Sequence, residues 1–96
     1  MAQSEKAIVN SILAYLNDLE GCYAEKMHGS IYSQGGRPDI TACYHGRRIE
    51  LEVKRPGNKP TKRQLEMMRR WREVGAVVEV VYSVDDVRAL MEWRDW

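Results

Sequence analysis

The 96-residue chain is predicted to fold as an α/β domain, with a mixed sheet flanked by helices. Three observations predict it. Apolar residues recur at helical spacing near the start, from Ile8 to Leu19. Two runs of period two, one around Ile40–Tyr44 and one around Ile49–Val53, flank His45-Gly46, and Gly tolerates the positive φ of a tight hairpin turn. A dense β-branched run, Ala76 to Tyr82, follows a segment that opens on a helix capping box. The hairpin requires antiparallel pairing. The strand–helix–strand order from Glu50 to Tyr82 suits a parallel crossover, so the sheet is mixed.

The elements follow in order. Ser4 is an N-cap, and Glu5 places negative charge in the first turn, where the helix dipole favours it. Ile8, Ile12, Tyr15, Leu16 and Leu19 then define a helix over about residues 4–18, closed near Gly21. Cys22 to His28 reads as a short strand, and Gly29 to Arg37 as a loop. Gly35-Gly36 in that loop either allows close backbone approach to a substrate or serves as a spacer, and Arg37 either grips a phosphate or is a plain surface arginine. The hairpin spans Pro38 to Lys54. Pro56-Gly57-Asn58-Lys59-Pro60 cannot continue a strand. Thr61-x-x-Gln64 opens a second helix to about Val74, with Leu65, Met68 and Trp71 as its apolar stripe. Gly75 closes it, the β-branched strand follows, and Ser83-x-x-Asp86 caps a last helix marked by Val87, Leu90 and Met91. The order is α-β-β-β-α-β plus a C-terminal helix.

A two-residue turn fixes the hairpin register. Tyr44 then faces Arg47, Ile40 faces Leu51 and Ala42 faces Ile49 on a core face. Asp39 falls opposite Glu52 on the other face, in a non-hydrogen-bonded pair with Cα atoms about 4.5 Å apart. Two opposed carboxylates repel. A divalent cation resolves the conflict: Mg²⁺ or Mn²⁺ takes oxygen ligands, commonly one or two carboxylates with phosphate and water. Lys54 projects from the same face as Glu52. Glu50 shares it one layer nearer the turn, beside the site or as a partner for Arg48. The bland alternative is a surface ion pair of Glu52 and Lys54, which leaves Asp39 unexplained.

Composition bounds the rest. The length fits one domain, residues 1–96. No apolar run approaches a membrane span, and Met1–Glu5 lacks the features of a secretory signal, so a cytoplasmic protein with no membrane partner is expected. Cys22 and Cys43 read as reduced, buried thiols; a zinc site with His28 and His45 has unsuitable spacing, and both histidines read as surface or turn residues. The net charge of +1 conceals an asymmetry. From Lys54 to Arg72 eight basic residues face only Glu66, a local balance of +7, and the rest of the chain carries −6. A basic segment of this kind is the footprint of a phosphate backbone. Trp93 and Trp96 near the C-terminus suggest a subunit contact.

Pro38-Asp39, twelve residues, then Glu52-Val53-Lys54 resembles the signature of the PD-(D/E)xK nuclease superfamily. Gly35-Gly36-Arg37-Pro38-Asp39-Ile40, the Glu52–Gly57 run and Thr61-Lys62-Arg63-Gln64 are similar to the virus-type replication-repair nuclease (VRR-NUC) domain, over about residues 5–87. The resemblance implies a restriction-endonuclease-like core and a Mg²⁺- or Mn²⁺-dependent deoxyribonuclease. Asp39, Glu52 and the Val53 carbonyl would hold metal, with Lys54 catalytic. It also implies a first-helix glutamate near the metal, for which Glu5 matches better than Glu20 or Glu25, and a Gln near the active site, which Gln64 matches while serving as a cap. Arg37, Arg55, Lys59, Lys62 and Arg63 would contact DNA. The implied setting is a bacterial or phage-infected cell, and the implied substrate is branched or Holliday-junction-like DNA cut by a homodimer. Competing expectations are a non-catalytic DNA-binding protein with an idle metal site, and a protein-interaction module built on the C-terminal tryptophans.

Overall fold

A computed structural model describes residues 3–27 and 37–96. His28 and the Gly35-Gly36 pair lie outside the described residues. The order is α1 (Glu5–Asn17), β1 (Cys22–Lys26), β2 (Ile40–Tyr44), β3 (Arg47–Val53), α2 (Lys62–Glu73), β4 (Val77–Val81) and α3 (Val84–Trp93). The four strands form one sheet in the order β1-β2-β3-β4. β1–β2 and β2–β3 are antiparallel, and β3–β4 is parallel. The sheet is therefore mixed, as expected from a hairpin followed by a crossover.

The hairpin register is the one the turn dictates. Tyr44 pairs with Arg47, Ala42 with Ile49 and Ile40 with Leu51. His45 and Gly46 both have positive φ, 48° and 82°, which twists the connection in the sense the strands need. Ile40, Ala42, Ile49, Leu51 and Val53 form one buried sheet face. Against it pack Ile8, Val9, Ile12 and Leu16 of α1 with Val87 and Met91 of α3.

The opposite face is covered only in part. α2 packs against β4, and its buried residue is Met68. Leu65, expected in the apolar stripe, is 50% exposed. The reason is the coverage: α2 lies toward β4, so among the described residues no helix covers the outer face of β1 and β2. Cys43 is exposed there, contrary to the expectation of a buried thiol, and Cys22 is half-buried. The two cysteines occupy adjacent rungs, Cys22 with Tyr44 and Cys43 with Tyr23. Their side chains therefore point to opposite faces.

The caps explain the helix boundaries. Ser4 accepts from the Ala7 N–H, and Thr61 and Gln64 form both bonds of a capping box. Ser83 accepts from Asp86, but the reciprocal Asp86 bond goes to the Tyr82 N–H rather than to Ser83. The strand expected over Cys22–His28 ends at Lys26, although Met27 still donates to the Asp39 carbonyl one step beyond the Lys26–Ile40 pair.

Trp96 is committed within the chain. Its indole packs edge-on to Tyr44 at 5.2 Å and donates to the Met91 carbonyl. Trp93 is 84% exposed.

Candidate metal centre

The end of β3 gathers the site. Among the described residues Glu52 and Glu50 are the buried charged ones, each 1% exposed. Both lie on the sheet face beneath α2, in register with Val80 and Val78. A buried carboxylate is costly unless paired or hydrogen-bonded, so their partners decide their roles.

Glu50 is satisfied. Its Oε1 accepts from Thr41 Oγ1 at 2.7 Å and from Arg48 Nε at 2.6 Å. The Arg48 guanidinium lies 4.1 Å from the Trp71 ring centroid, a cation–π contact that ties α2 to the hairpin. Of the two readings for Glu50, the partner for Arg48 is the one realised.

Glu52 is not fully satisfied. Oε1 accepts from Gln64 Nε2 at 2.9 Å and lies 3.7 Å from Lys54 Nζ. Oε2 is buried and accepts from no N–H or O–H donor, so the Asp39 carboxyl is left as the group it can share a proton with. Burial pushes the Glu52 carboxyl up to about 8, helped by a shared hydrogen bond and charge repulsion with Asp39, and opposed by Lys54.

Asp39 reaches this point differently from the simple expectation. The last β2–β3 rung is Ile40–Leu51. Asp39 donates its backbone N–H to the Leu51 carbonyl, and its own carbonyl accepts from Met27. It has thus left the regular ladder instead of forming a rung with Glu52. Its Oδ2 accepts from the Val53 N–H at 2.7 Å, where a backbone carbonyl would otherwise serve. The two carboxylates still converge, through side-chain reach.

Glu5, the first residue of α1, is half-buried and close enough for its charge to raise the Glu52 carboxyl, as the weakest of the contributors. Glu25 is exposed and accepts from the Tyr23 hydroxyl, and Glu20 is exposed. Among the described residues, no group of three His, Cys, Asp or Glu side chains forms a closed ligand set. The centre is therefore a carboxylate pair, with Val53 next to Glu52 in sequence and hydrogen-bonded to Asp39, and with the ammonium of Lys54 beside it. One orphaned acid oxygen next to a second carboxylate fits a divalent cation, which supplies the missing positive partner.

The basic segment divides into two groups. Arg69 and Arg70 are spent on Glu66, with Arg69 also on Glu73, and Arg72 donates to the Val78 carbonyl. The arginines hold the Glu66 carboxyl down to about 2. Arg55, Lys59, Lys62 and Arg63 are exposed, and none forms an ion pair with a described carboxylate. They all lie between Lys54 and Gln64 in sequence. Arg37 is also exposed, at the rim of a cavity of about 270 Å³ lined by Pro38, Arg48, Glu50, Met67 and Trp71. Sequence reasoning put Gln64 near the site but missed its hydrogen bond to Glu52, since nothing in a capping motif says where the second amide group points, and it missed the Asp39–Val53 bond.

No family model matches the sequence, and no curated protein does. Solved structures do. One described as a VRR_NUC domain has a TM-score of 0.77 and 27% identity, covering 94% of this chain and 97% of that one. A second, described as a VRR_NUC domain protein, has a TM-score of 0.77 at 15% identity, covering 96% of this chain and 88% of that one. The chain has the fold of these VRR_NUC domains, a nuclease-type fold, and the order α-β-β-β-α-β-α fits it.

Proposed function

We propose, from the VRR_NUC fold and the carboxylate pair beneath α2, that the protein is a metal-dependent deoxyribonuclease. The observation that carries this reading is Glu52 Oε2, an acid oxygen buried with no N–H or O–H donor to it and set against a second carboxylate, Asp39. Fold stability alone gives no reason to keep it.

Asp39 and Glu52 would hold Mg²⁺ or Mn²⁺, with the Val53 carbonyl as a further ligand and Glu5 acting directly or through water. Such an ion, when bound, polarises a phosphoryl oxygen and lowers the pKa of a coordinated water. The chain's own groups supply the rest. The Val53 N–H holds the Asp39 carboxylate in place. Lys54, with its side chain 15% exposed and its ammonium beside Glu52, offers positive charge to the phosphate and orients the attacking water. Arg37, Arg55, Lys59, Lys62 and Arg63 contact the phosphate backbone, which positions DNA without reading its sequence.

The substrate in this reading is branched or junction-like duplex DNA, cut endonucleolytically by a homodimer. Backbone contacts on a small domain favour recognition of shape. A two-fold dimer places two such sites on two strands. The test is cleavage of linear duplex, flap and four-way-junction DNA with and without Mn²⁺. Asp39→Ala, Glu52→Ala and Lys54→Ala are each expected to abolish metal-dependent cleavage while DNA binding persists. Wild-type rates in all three end the assignment, and salt-sensitive binding with no nicking under any metal favours an idle site instead.

A further inference from the structure

Resting on the metal-site reading above, we infer that Gln64 is a positioning residue for the cation: its amide fixes the Glu52 carboxylate so that Oε2, and not Oε1, is presented.

The geometry is a relay of three hydrogen bonds. The Thr61 N–H donates to Gln64 Oε1 at 2.8 Å, and the Gln64 N–H donates to Thr61 Oγ1 at 3.1 Å. These complete the cap of α2. Gln64 Nε2 then donates to Glu52 Oε1 at 2.9 Å. A reciprocal cap needs only the oxygen of that side chain, so its nitrogen could point to water. It points instead at a carboxylate that is 1% exposed.

The residue type supports the same conclusion. A capping box accepts Glu or Gln at this position, and the helix dipole favours the acid in the first turn. Glu at residue 64 would cap α2 but set a carboxylate against Glu52. Only an amide can accept from Thr61 and donate to Glu52 at once. The terminal torsion of a glutamate is broad and nearly two-fold, so without the amide no hydrogen-bond donor is left to set one Glu52 oxygen apart from the other, and Lys54 at 3.7 Å is the remaining cation. With it, Oε1 is held by Gln64 near Lys54, and Oε2 is left for a cation. The cap also ties this choice to the first turn of α2, where Lys62 and Arg63 stand.

The experiment separates positioning from helix stability. Mn²⁺ affinity is measured by calorimetry on the full chain without DNA, with Tm recorded for each metal-free protein. Gln64→Met keeps the shape of the side chain and removes both polar ends. Thr61→Ala removes the hydroxyl cap but keeps the backbone N–H that orients the Gln64 amide. Thr61→Ala is expected to lower Tm by about 4–8 °C with Mn²⁺ affinity unchanged. Gln64→Met is expected to weaken Mn²⁺ binding about 10–100-fold, the usual effect of losing a partner that orients a metal ligand. Gln64→Ala repeats the measurement should the Met variant fold poorly. Wild-type Mn²⁺ affinity in the Gln64 variants, or equal losses in Thr61→Ala and Gln64→Met, overturns the inference and leaves the nuclease reading intact. Mn²⁺ binding that depends on Gln64 without any DNA cleavage retires the nuclease reading alone. A wild-type protein that binds no Mn²⁺ overturns both.

Discussion

At the scale of single residues, Glu52 gives the protein a stability signature. In the folded chain its carboxyl titrates at about 8, against 4.5 for the ordinary group. Between these values the folded state binds a proton that the unfolded state has lost. Stability is therefore fully present below about pH 4.5 and falls as pH rises toward 8, with a limiting slope of about 1.4 kcal/mol per pH unit for one proton. Metal-free protein is expected to show this fall in urea unfolding followed from pH 5 to pH 8. Glu52→Gln is expected to flatten the profile and to be the more stable protein at pH 8. Added Mn²⁺ should raise the wild-type Tm at pH 8 and leave that of Glu52→Gln nearly unmoved. A flat wild-type profile would mean that the carboxylate is not desolvated as described.

At the scale of elements, the hairpin carries the site, and its turn is anchored to the segment after α1. Gly21 has φ +78°, and its carbonyl accepts from the His45 N–H. A Cβ at Gly21 would come within 2.4 Å of the His45 ring. Gly21→Ala therefore meets two penalties, a left-handed backbone costing about 1–2 kcal/mol and a displaced imidazole. The double variant Gly21→Ala/His45→Ala is expected to recover the second part but not the first, as read from urea midpoints at constant slope. Full recovery would show that the backbone conformation costs nothing there. The same register brings Glu52 under α2, so slippage by one residue would turn Glu50 and Glu52 into the apolar core.

At the scale of the whole molecule, the distribution of charge distinguishes cations already used from cations open to a ligand. Arg69 and Arg70 are held by Glu66, whereas Lys62 and Arg63 are not. Removing one cation that neutralises a phosphate should reduce the slope of log K against log salt by about 0.9 for duplex DNA. Lys62→Ala and Arg63→Ala are expected to do so, and Arg69→Ala is expected to leave the slope unchanged. Equal effects at all three positions would remove the distinction. The second feature at this scale is Trp93, which lies beside Glu79, Val81, Asp86 and Leu90 in a shallow groove against edge strand β4. If the protein works as a homodimer through its C-terminal end, Trp93→Glu should shift micromolar protein toward monomer in sedimentation. Trp96→Glu should instead destabilise the fold, because that indole is committed to Tyr44. A wild-type monomer at these concentrations counts against the dimer.

Much of this was legible in the chain as written. A two-residue turn and period-two apolar runs leave one hairpin register, because the turn sets the pairing and a one-residue shift would bury charge. Ser4, Thr61 and Ser83 mark helix starts because free backbone N–H groups need an acceptor wherever a helix begins. Those constraints are local, so the order of residues was enough to set the strands, the crossover and the meeting of Asp39 with Glu52. What depends on coverage was not legible. α2 lies toward β4, and that alone exposes Cys43 and Leu65 while burying Glu52. Asp39 leaves the ladder because its side chain replaces a backbone acceptor for Val53. Gln64 turns its amide to Glu52 because the folded helix sets it there. Which oxygen of an acid is left without a partner is decided by neighbours distant in sequence, so only the assembled tertiary structure could decide it.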